Sequence, residues 1–513
     1  MLKYILGIIF ILGLFFSFTF RAVPGNPDQG TILNELRQPG KNFESSQERA
    51  RFSLVKSIAD DRSFILDKYA EESLPDIAYK SGHYYSVFLP GLSALAIPFY
   101  IAGKYLNQPI IMTFLLPALL SILASIIVFL FSKKLGQSSL AATLSAIVFG
   151  LCTVTWSYSI TFYAHTLSAL CVIGSLFFAY RAKNGSDWNF LFFWLLFGIG
   201  ILTDYPNALI ILPALLFVVG ESLKINALTF RDRKYNLINI RLGLFYSVIA
   251  FLILIAALFL YNTATFGSWR EIAHNYRVTE LITTIPNYHF LFSRIMDIKY
   301  IENGLYTLLL SKSRGIFVYS PIVILSFLGL YRLYYRKPKI TMILALTFFA
   351  NLMVYAAFYD PWGGWSYGPR YLIASMPVLA LLTGESYDFI KSKTLYLIGF
   401  IVLFFSSFSI ALLGALTSNL LPPYAEVGKQ ISFLSAFDFL KQSGSSSLIL
   451  SQINDHFYLS GTEYYFLILI VFTIIFFPLF SYQIFRNVLN FLFGLRWPIF
   501  NIFRKRQNAD AQN

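Results

Sequence analysis

A chain of 513 residues that is 57% hydrophobic and only 13% charged carries more apolar side chain than a soluble domain could keep from water. That excludes a soluble enzyme or a nucleic-acid-binding module, and the net charge of +14 must be judged by where it falls. The two cysteines, Cys152 and Cys171, lie inside apolar runs, which excludes a disulfide framework and a cysteine-based metal site.

Lys3 and the apolar run Tyr4–Phe20 predict a first span with its N-terminus inside. No small-x-small cleavage site follows Phe20-Arg21, so a retained anchor is expected rather than a removed signal peptide. Further apolar runs cover about 108–131, 139–157, 162–180, 188–203, 206–222, 242–261, 317–334, 339–358, 371–388, 394–415 and 462–482. The stretch from Glu44 to Lys104 differs: it holds Glu48, Arg49, Arg51, Asp60, Asp61, Arg62, Asp67, Asp76 and His83, reads as a row of short helices, and ends in Tyr84-Tyr85. Its last part, the run 87–104 after the tyrosines, is broken by Pro90, Gly91, Pro98 and Gly103.

Charge decides how 87–104 is counted. Left out of the spans, it gives twelve of them and puts Lys133-Lys134, Arg181 and Lys183, Arg231–Lys234, Arg332–Lys339, Lys391 and Lys393, and Arg504-Lys505-Arg506 all in the cytoplasm. The expectation is therefore an all-α, polytopic helical bundle of the plasma (inner) membrane with both termini cytoplasmic. Residues 87–104 become a juxtamembrane or re-entrant helix of a long outer loop, 21–107. The bundle is assigned to 1–415, an outer loop and last span to 416–482, and a basic tail to 483–513. That tail, with Phe491, Phe493, Trp497 and Phe500, suits a helix on the inner surface. The weakest spans, 188–203 and 206–222, are short and parted by Asp204-Tyr205-Pro206, so they could form a re-entrant hairpin. All five histidines, His83, His165, His274, His289 and His456, fall on the outer side or at its edge, so chemistry is expected to face outward.

Two outer stretches carry the candidate residues. In the first, Asp67, Asp76 and Glu48 are carboxylates able to take a proton, while Arg51, Lys80 and His83 are cations or donors able to hold an anion; Tyr84 and Tyr85 flank them. Solvated charges on amphipathic helices would explain any one of these, but not the whole set at a membrane edge. The second is Tyr359-Asp-Pro-Trp-Gly-Gly-Trp-Ser-Tyr-Gly-Pro-Arg370, where three glycines and two prolines bend the chain tightly. Trp362, Trp365 and Tyr367 offer flat faces to a sugar or lipid, and Arg370 a planar fork of donors to a phosphate. An aromatic belt with a snorkelling arginine accounts for the aromatics singly but not for the glycines around them. Lys312 and Arg314 sit at another outer edge, suited equally to a phosphate or to anchoring.

These pieces together resemble the GT-C membrane glycosyltransferases, specifically the bacterial group related to protein O-mannosyltransferases and the lipid A aminoarabinose transferase. The resemblance rests on Arg51, Asp67 and Asp76, Gly82-His-Tyr-Tyr-Ser86 with Pro90-Gly91, Tyr158 through His165, Asp204-Tyr-Pro206, Ser313-Arg-Gly315 with Tyr319-Ser-Pro321, and Gly363-Gly-Trp-Ser-Tyr-Gly-Pro-Arg-Tyr371. It implies a polyprenyl-phosphate-linked sugar donor, a glycan, lipid or protein acceptor, and a catalytic acid in the first outer loop: Asp76 first, Asp67 second, Glu48 third. One departure stands out. Relatives commonly place a Lys shortly before the Pro-Gly, where this chain reads Val87-Phe88-Leu89. Either Lys80, Arg314 or Arg370 takes over that phosphate contact, or the donor differs, or activity is impaired.

The mechanism so implied is inverting: Asp76 or Asp67 deprotonates an acceptor hydroxyl, and polyprenyl phosphate leaves with its charge held by Arg370 and Arg314. No cofactor is singled out by the sequence; the acids could hold a divalent metal through oxygen ligands, though nothing in their spacing demands one. The alternative is a transporter or flippase of a lipid-linked saccharide that uses the same arginines and aromatics only to bind. That would call for polar residues deep in several spans and for paired halves, neither of which the apolar runs display.

Overall fold

The computed structural model describes residues 1–183, 186–230, 233–281, 296–428 and 431–493. His289, Arg231, Trp497 and Arg504–Arg506 lie outside the described residues. Each apolar run named above is helical. In chain order the principal helices are α1 (Leu2–Thr19), α2 (Ser46–Lys56), α3 (Gly91–Tyr105), α4 (Pro109–Leu135), α5 (Ser139–Leu151), α6 (His165–Ala182), α7 (Trp188–Thr203), α8 (Asn207–Ser222), α9 (Leu242–Phe266), α10 (Ser326–Arg336), α11 (Pro338–Ala356), α12 (Met376–Ile390), α13 (Thr394–Leu416) and α14 (Gly461–Phe493).

Among the described residues seven helices, α1, α4, α6, α9, α11, α13 and most of α14, are long and apolar enough to cross a membrane, and α5, α7 and α8 are shorter apolar helices. A helix satisfies its own backbone donors and acceptors, which is why apolar runs of this length adopt it in lipid. Two of the expected spans are composite. A short helix Ile316–Tyr319 and a 3-10 turn Pro321–Leu325 lead into α10, and a 3-10 turn Arg370–Ser375 leads into α12. Proline explains both joints, since Pro321 and Pro377 lack the N–H that an uninterrupted helix would use.

The helices are not equally enclosed. In their most apolar windows α6 is 78% buried by protein and α9 only 11%, so α6 is central and α9 peripheral. Close approach inside the bundle depends on glycine. A Cβ at Gly329 of α10 would lie 1.8 Å from the Leu382 carbonyl oxygen of α12, so no larger residue fits that crossing. At one end of the bundle Lys337 donates to the Tyr180 hydroxyl at 3.1 Å, and Glu385 pairs with Arg332 and Arg336 at 3.2 and 2.9 Å, gathering the basic clusters together.

The first long loop folds differently from the row of helices expected of it. α2 forms where Ser45 and Glu48 make a capping box, and its face is buried. The residues around the tyrosine pair are instead a β-hairpin, β1 (Ile77–Lys80) with β2 (His83–Ser86), in register Ile77↔Ser86 through Lys80↔His83. Ser81 and Gly82 both have positive φ, 54° and 91°, the conformation a two-residue hairpin turn demands. A third strand, β5 (Arg277–Val278), adds to β1 from far along the chain; β3 (Leu223–Phe230) and β4 (Arg233–Ile240) form a separate hairpin.

Candidate active site

The hairpin holds the two candidate acids in different settings. Asp76, just ahead of β1, is only 7% exposed. Its Oδ1 pairs with an Arg277 nitrogen at 2.8 Å and its Oδ2 accepts from the Ser46 hydroxyl at 2.7 Å. Asp67 is nearly half exposed: one oxygen lies 2.7 Å from His83 Nδ1, and the other accepts from the Tyr84 backbone N–H at 2.7 Å. Asp67 thus fastens β2, and His83 is engaged with it. Lys80, on the same hairpin, donates to the Tyr276 hydroxyl at 2.9 Å. Tyr85 is buried against Phe266, while Tyr84 packs on Tyr79 at 5.0 Å.

Arg51 projects from α2 into the interior, stacked 3.8 Å over the Phe88 ring and donating to Gln47. Burial pulls its guanidinium down to about 10, with Asp204 and Asp76 acting in the opposite sense. Arg49, on the same helix, instead donates to the carbonyls of Phe43, Glu44, Glu72 and Leu74, tying the loop to itself. Glu48 is fully buried, accepting from the backbone N–H groups of Ser45 and Phe162 at 3.3 and 3.2 Å; burial and then Glu44 push its carboxyl well above the usual range.

The 359–370 stretch is pinned by Arg314. That side chain is fully buried and donates to the carbonyls of Trp362, Ser313, Gly364 and Leu421 at 2.7–3.0 Å. Its donors are thereby taken by backbone. Trp365 donates to Glu426 at 2.5 Å, and Trp362 contributes the carbonyl held by Arg314. Arg370 is different: it is 8% exposed, lies over the Tyr371 ring, and its Nε has no hydrogen-bond partner among the described residues. Asp360 Oδ1, in the same loop, is likewise buried without a partner, and burial raises its carboxyl. Gly363 has a φ of 70°, a conformation that favours glycine, and a Cβ there would also crowd Arg370 Nε at 3.0 Å.

Three residues that sequence reasoning did not select complete the site. Asp204, in the turn between α7 and α8, accepts from the Tyr355 hydroxyl at 3.1 Å and lies within electrostatic reach of Arg51 and Arg370. Burial raises its carboxyl, against the pull of Tyr355 and the two arginines. Asp360 lies within electrostatic reach of Arg370 and Arg314, and Arg277 holds Asp76. Asp204-Tyr205-Pro206 was visible as an acid between two apolar runs, but its arginine partners are distant in sequence. Among the described residues no group of three or more His, Cys, Asp and Glu side chains is arranged to hold a metal ion.

Residues 94–246 match the family model described as dolichyl-phosphate-mannose-protein mannosyltransferase. Over that segment the chain is similar to this family of mannosyltransferases. The matched segment includes Asp204 but neither Asp76 nor Arg370, so the site assignment rests on geometry. Curated proteins give no match. Among solved structures the chain is similar to ArnT from Cupriavidus metallidurans in the apo state (12% identity, TM-score 0.45, 77% of this chain and 62% of that one). It is similar to the same protein bound to undecaprenyl phosphate (12%, 0.46, 78% and 63%). The Archaeoglobus fulgidus oligosaccharyltransferase in the apo form is a further likeness (12%, 0.46, 89% and 60%). The matched part thus accounts for 60–63% of the length of those proteins.

Proposed function

We propose that this chain transfers a sugar from a polyprenyl-phosphate carrier to an acceptor hydroxyl, with inversion, at the end of the bundle that carries the hairpin and the 359–370 loop. The observation that carries the proposal is Arg370, a buried guanidinium with an unpartnered Nε, next to a loop acid and at the head of the 370–390 segment. A buried cation with spare donors is a site for an anion. At the end of a lipid-embedded bundle, the phosphate of a lipid carrier is the anion that reaches it.

In this mechanism Asp76 accepts the proton of the acceptor hydroxyl as the oxygen forms its bond to the anomeric carbon. The bond from that carbon to the phosphate oxygen breaks on the opposite face, and the electron pair leaves with the phosphate. Arg370 and Arg51 hold the charge that develops there. Arg314, its donors already taken, keeps the Gly-Gly turn in shape beneath Arg370. Asp76 is preferred to Asp67 because it is enclosed and shares Arg51 with the arginine cluster, whereas Asp67 is half exposed and bound to the hairpin's own backbone. The chemistry is assigned to the extracytoplasmic side, and both termini to the cytoplasm. The basic residues gathered around Lys337, Arg332 and Arg336 at one end of the bundle support that orientation.

The test is transfer by purified protein from a panel of radiolabelled polyprenyl-phosphate sugars, run beside Asp76→Asn and Asp67→Asn. Label moved to an acceptor by the parent protein and lost in Asp76→Asn supports the proposal. Turnover unchanged in both variants removes the assigned base, and uptake of label into vesicles without transfer favours a transporter.

A further inference from the structure

The last turn of a helix leaves carbonyls that no helical N–H reaches, and at the end of α13 a buried cation takes them up. Arg21, just after α1, is fully buried and donates to the carbonyls of Gly414 and Ala415 at 2.9–3.3 Å. A guanidinium so enclosed needs a carboxylate, and Glu44 of the first outer loop supplies one at 3.3 Å, its own side chain fully enclosed. Both Glu44 oxygens are occupied by donors. Oε1 accepts from the Asn419 backbone N–H at 2.7 Å as well as from Arg21. Oε2 accepts from the Ser418 hydroxyl and from the Gly40 backbone N–H, each at 2.6 Å. One carboxylate thus ties the first loop to the turn after α13, across 374 positions of sequence.

The same turn grips the other half of the site. The Leu421 carbonyl accepts from Arg314 at 2.7 Å and from the Ser366 backbone N–H at 3.1 Å. Gly414 lies so close to the Tyr367 ring that a Cβ there would stand 2.3 Å from it. Residues 414–421 therefore bond both to Glu44 and to the 359–370 loop. Shortly after Glu44 in the chain, the Ser46 hydroxyl holds Asp76 at 2.7 Å; shortly after Tyr367 stands Arg370.

We infer that Glu44 is a positioning residue for the transfer: by gripping Ser418 and Asn419 it fixes the first outer loop, and with it Asp76, relative to the 359–370 loop and Arg370. This rests on the function proposed above and adds the device that sets the base against the phosphate-holding arginine. Glu44 is enclosed on all sides and touches no substrate; it acts through Ser46 and Asp76. Base and anion site belong to separate loops, so their separation is only as well defined as the join between them. A displacement of about 1 Å between reacting groups costs up to about 100-fold in rate while each half can still bind.

The experiment compares the purified full chain with Glu44→Gln, which turns an amide towards donors, and Ser418→Ala, which removes one donor. Spin labels on Glu71→Cys and Tyr359→Cys, both at exposed positions, report the distance between the first loop and the 359–370 loop. The native Cys152 and Cys171 are buried and stay unlabelled. The parent is expected to give a narrow distance distribution and both variants a broader one. Single-turnover transfer from a radiolabelled polyprenyl-phosphate sugar is expected to fall about tenfold in Glu44→Gln and at least about threefold in Ser418→Ala, with carrier affinity within about twofold of the parent. Either an unchanged distance distribution or an unchanged rate per folded molecule overturns the inference, since a role confined to stability lowers only the unfolding temperature. If Glu44→Gln does not purify as a folded protein, Ser418→Ala decides by the same two readouts. If the parent transfers no label, the proposed function falls, and the spin-label distances still decide the join: a broadened distribution upholds it and an unchanged one overturns it.

Discussion

Arg277 grips Asp76 at 2.8 Å across 201 positions of sequence, and the third strand of the small sheet brings the two together. Ser46 holds the other carboxylate oxygen, so Asp76 is presented in one orientation by partners from two separate segments. Arg277 is itself 40% exposed in its side chain, so a substrate can reach the pair from outside the bundle.

Replacing Asp76 by Asn should therefore abolish proton acceptance while keeping the shape of the carboxyl. Transfer should fall by about 100-fold or more, within the range that general-base catalysis supplies, with carrier binding retained. Asp67→Asn should behave otherwise. It loosens the contacts with His83 and Tyr84, costs about 1 kcal/mol of stability, and leaves turnover within about threefold. Single-turnover transfer and carrier binding, measured side by side, separate the two acids.

Arg314 and Arg370, both read from sequence as phosphate contacts, should respond in opposite ways to Lys. Arg314 serves four backbone carbonyls in a planar fan that an ammonium cannot match, so Arg314→Lys should cost about 3 kcal/mol and lower the unfolding temperature in detergent. Arg370 supports no described hydrogen bond through Nε, so Arg370→Lys should fold normally but bind polyprenyl phosphate about tenfold more weakly. Thermal unfolding together with carrier binding for each variant checks the pair.

The contrast between these two arginines marks the reach of the sequence. The apolar runs were legible as helices, because burial in lipid writes itself into apolar stretches of about twenty residues. Only seven of the twelve expected spans, though, are single helices long and apolar enough to cross a membrane among the described residues. The turn Tyr359–Arg370 was legible from its glycines and prolines. The hairpin was harder. Lys80-Ser-Gly-His83 is a two-residue turn signal flanked by aromatics, but charged helical neighbours such as Ser46–Lys56 masked it. Asp204 and Arg277 were not legible as site residues at all. Their partners are fixed by tertiary contact over long sequence distances, and an isolated acid between two spans looks like a separator. Likewise nothing in Arg314 alone distinguishes a backbone staple from a phosphate ligand; only the occupancy of its donors does.

Gly91 tests whether the first loop must press against the α7–α8 turn. A Cβ there would stand 2.6 Å from the Leu202 carbonyl oxygen and 2.9 Å from the Thr203 nitrogen, both backbone atoms that cannot swing aside. Gly91→Ala should cost about 1–3 kcal/mol as overpacking, and by lifting α3 it should part Arg51 from Asp204. Carrier affinity should drop at least about threefold. Gly82→Ala is the matched control for a glycine with open space around it, strained only by its φ of 91°.

Glu48 supplies a pH dependence with a definite sign. Its carboxyl is fully buried, receives two backbone N–H groups and sits near Glu44, and burial followed by that neighbour raises its folded-state pKa well above the ordinary 4.5. A carboxyl raised in the folded state binds its proton more tightly there than in the unfolded chain. The stability it contributes is complete below about pH 4.5 and is lost as pH rises towards the elevated folded value. Over that window the parent protein should lose stability with increasing pH, because an unfolding molecule releases the Glu48 proton. In Glu48→Gln no proton remains to be released, so the slope of unfolding temperature against pH between about 5 and 8 should be shallower than in the parent. The absolute stability of the variant carries a separate cost, since the Gln amide must turn one N–H towards a backbone donor that the carboxyl accepted from. The slope, rather than the height, of the curve is the measurement that counts: parallel curves for parent and variant would show that Glu48 does not titrate between the folded and unfolded states.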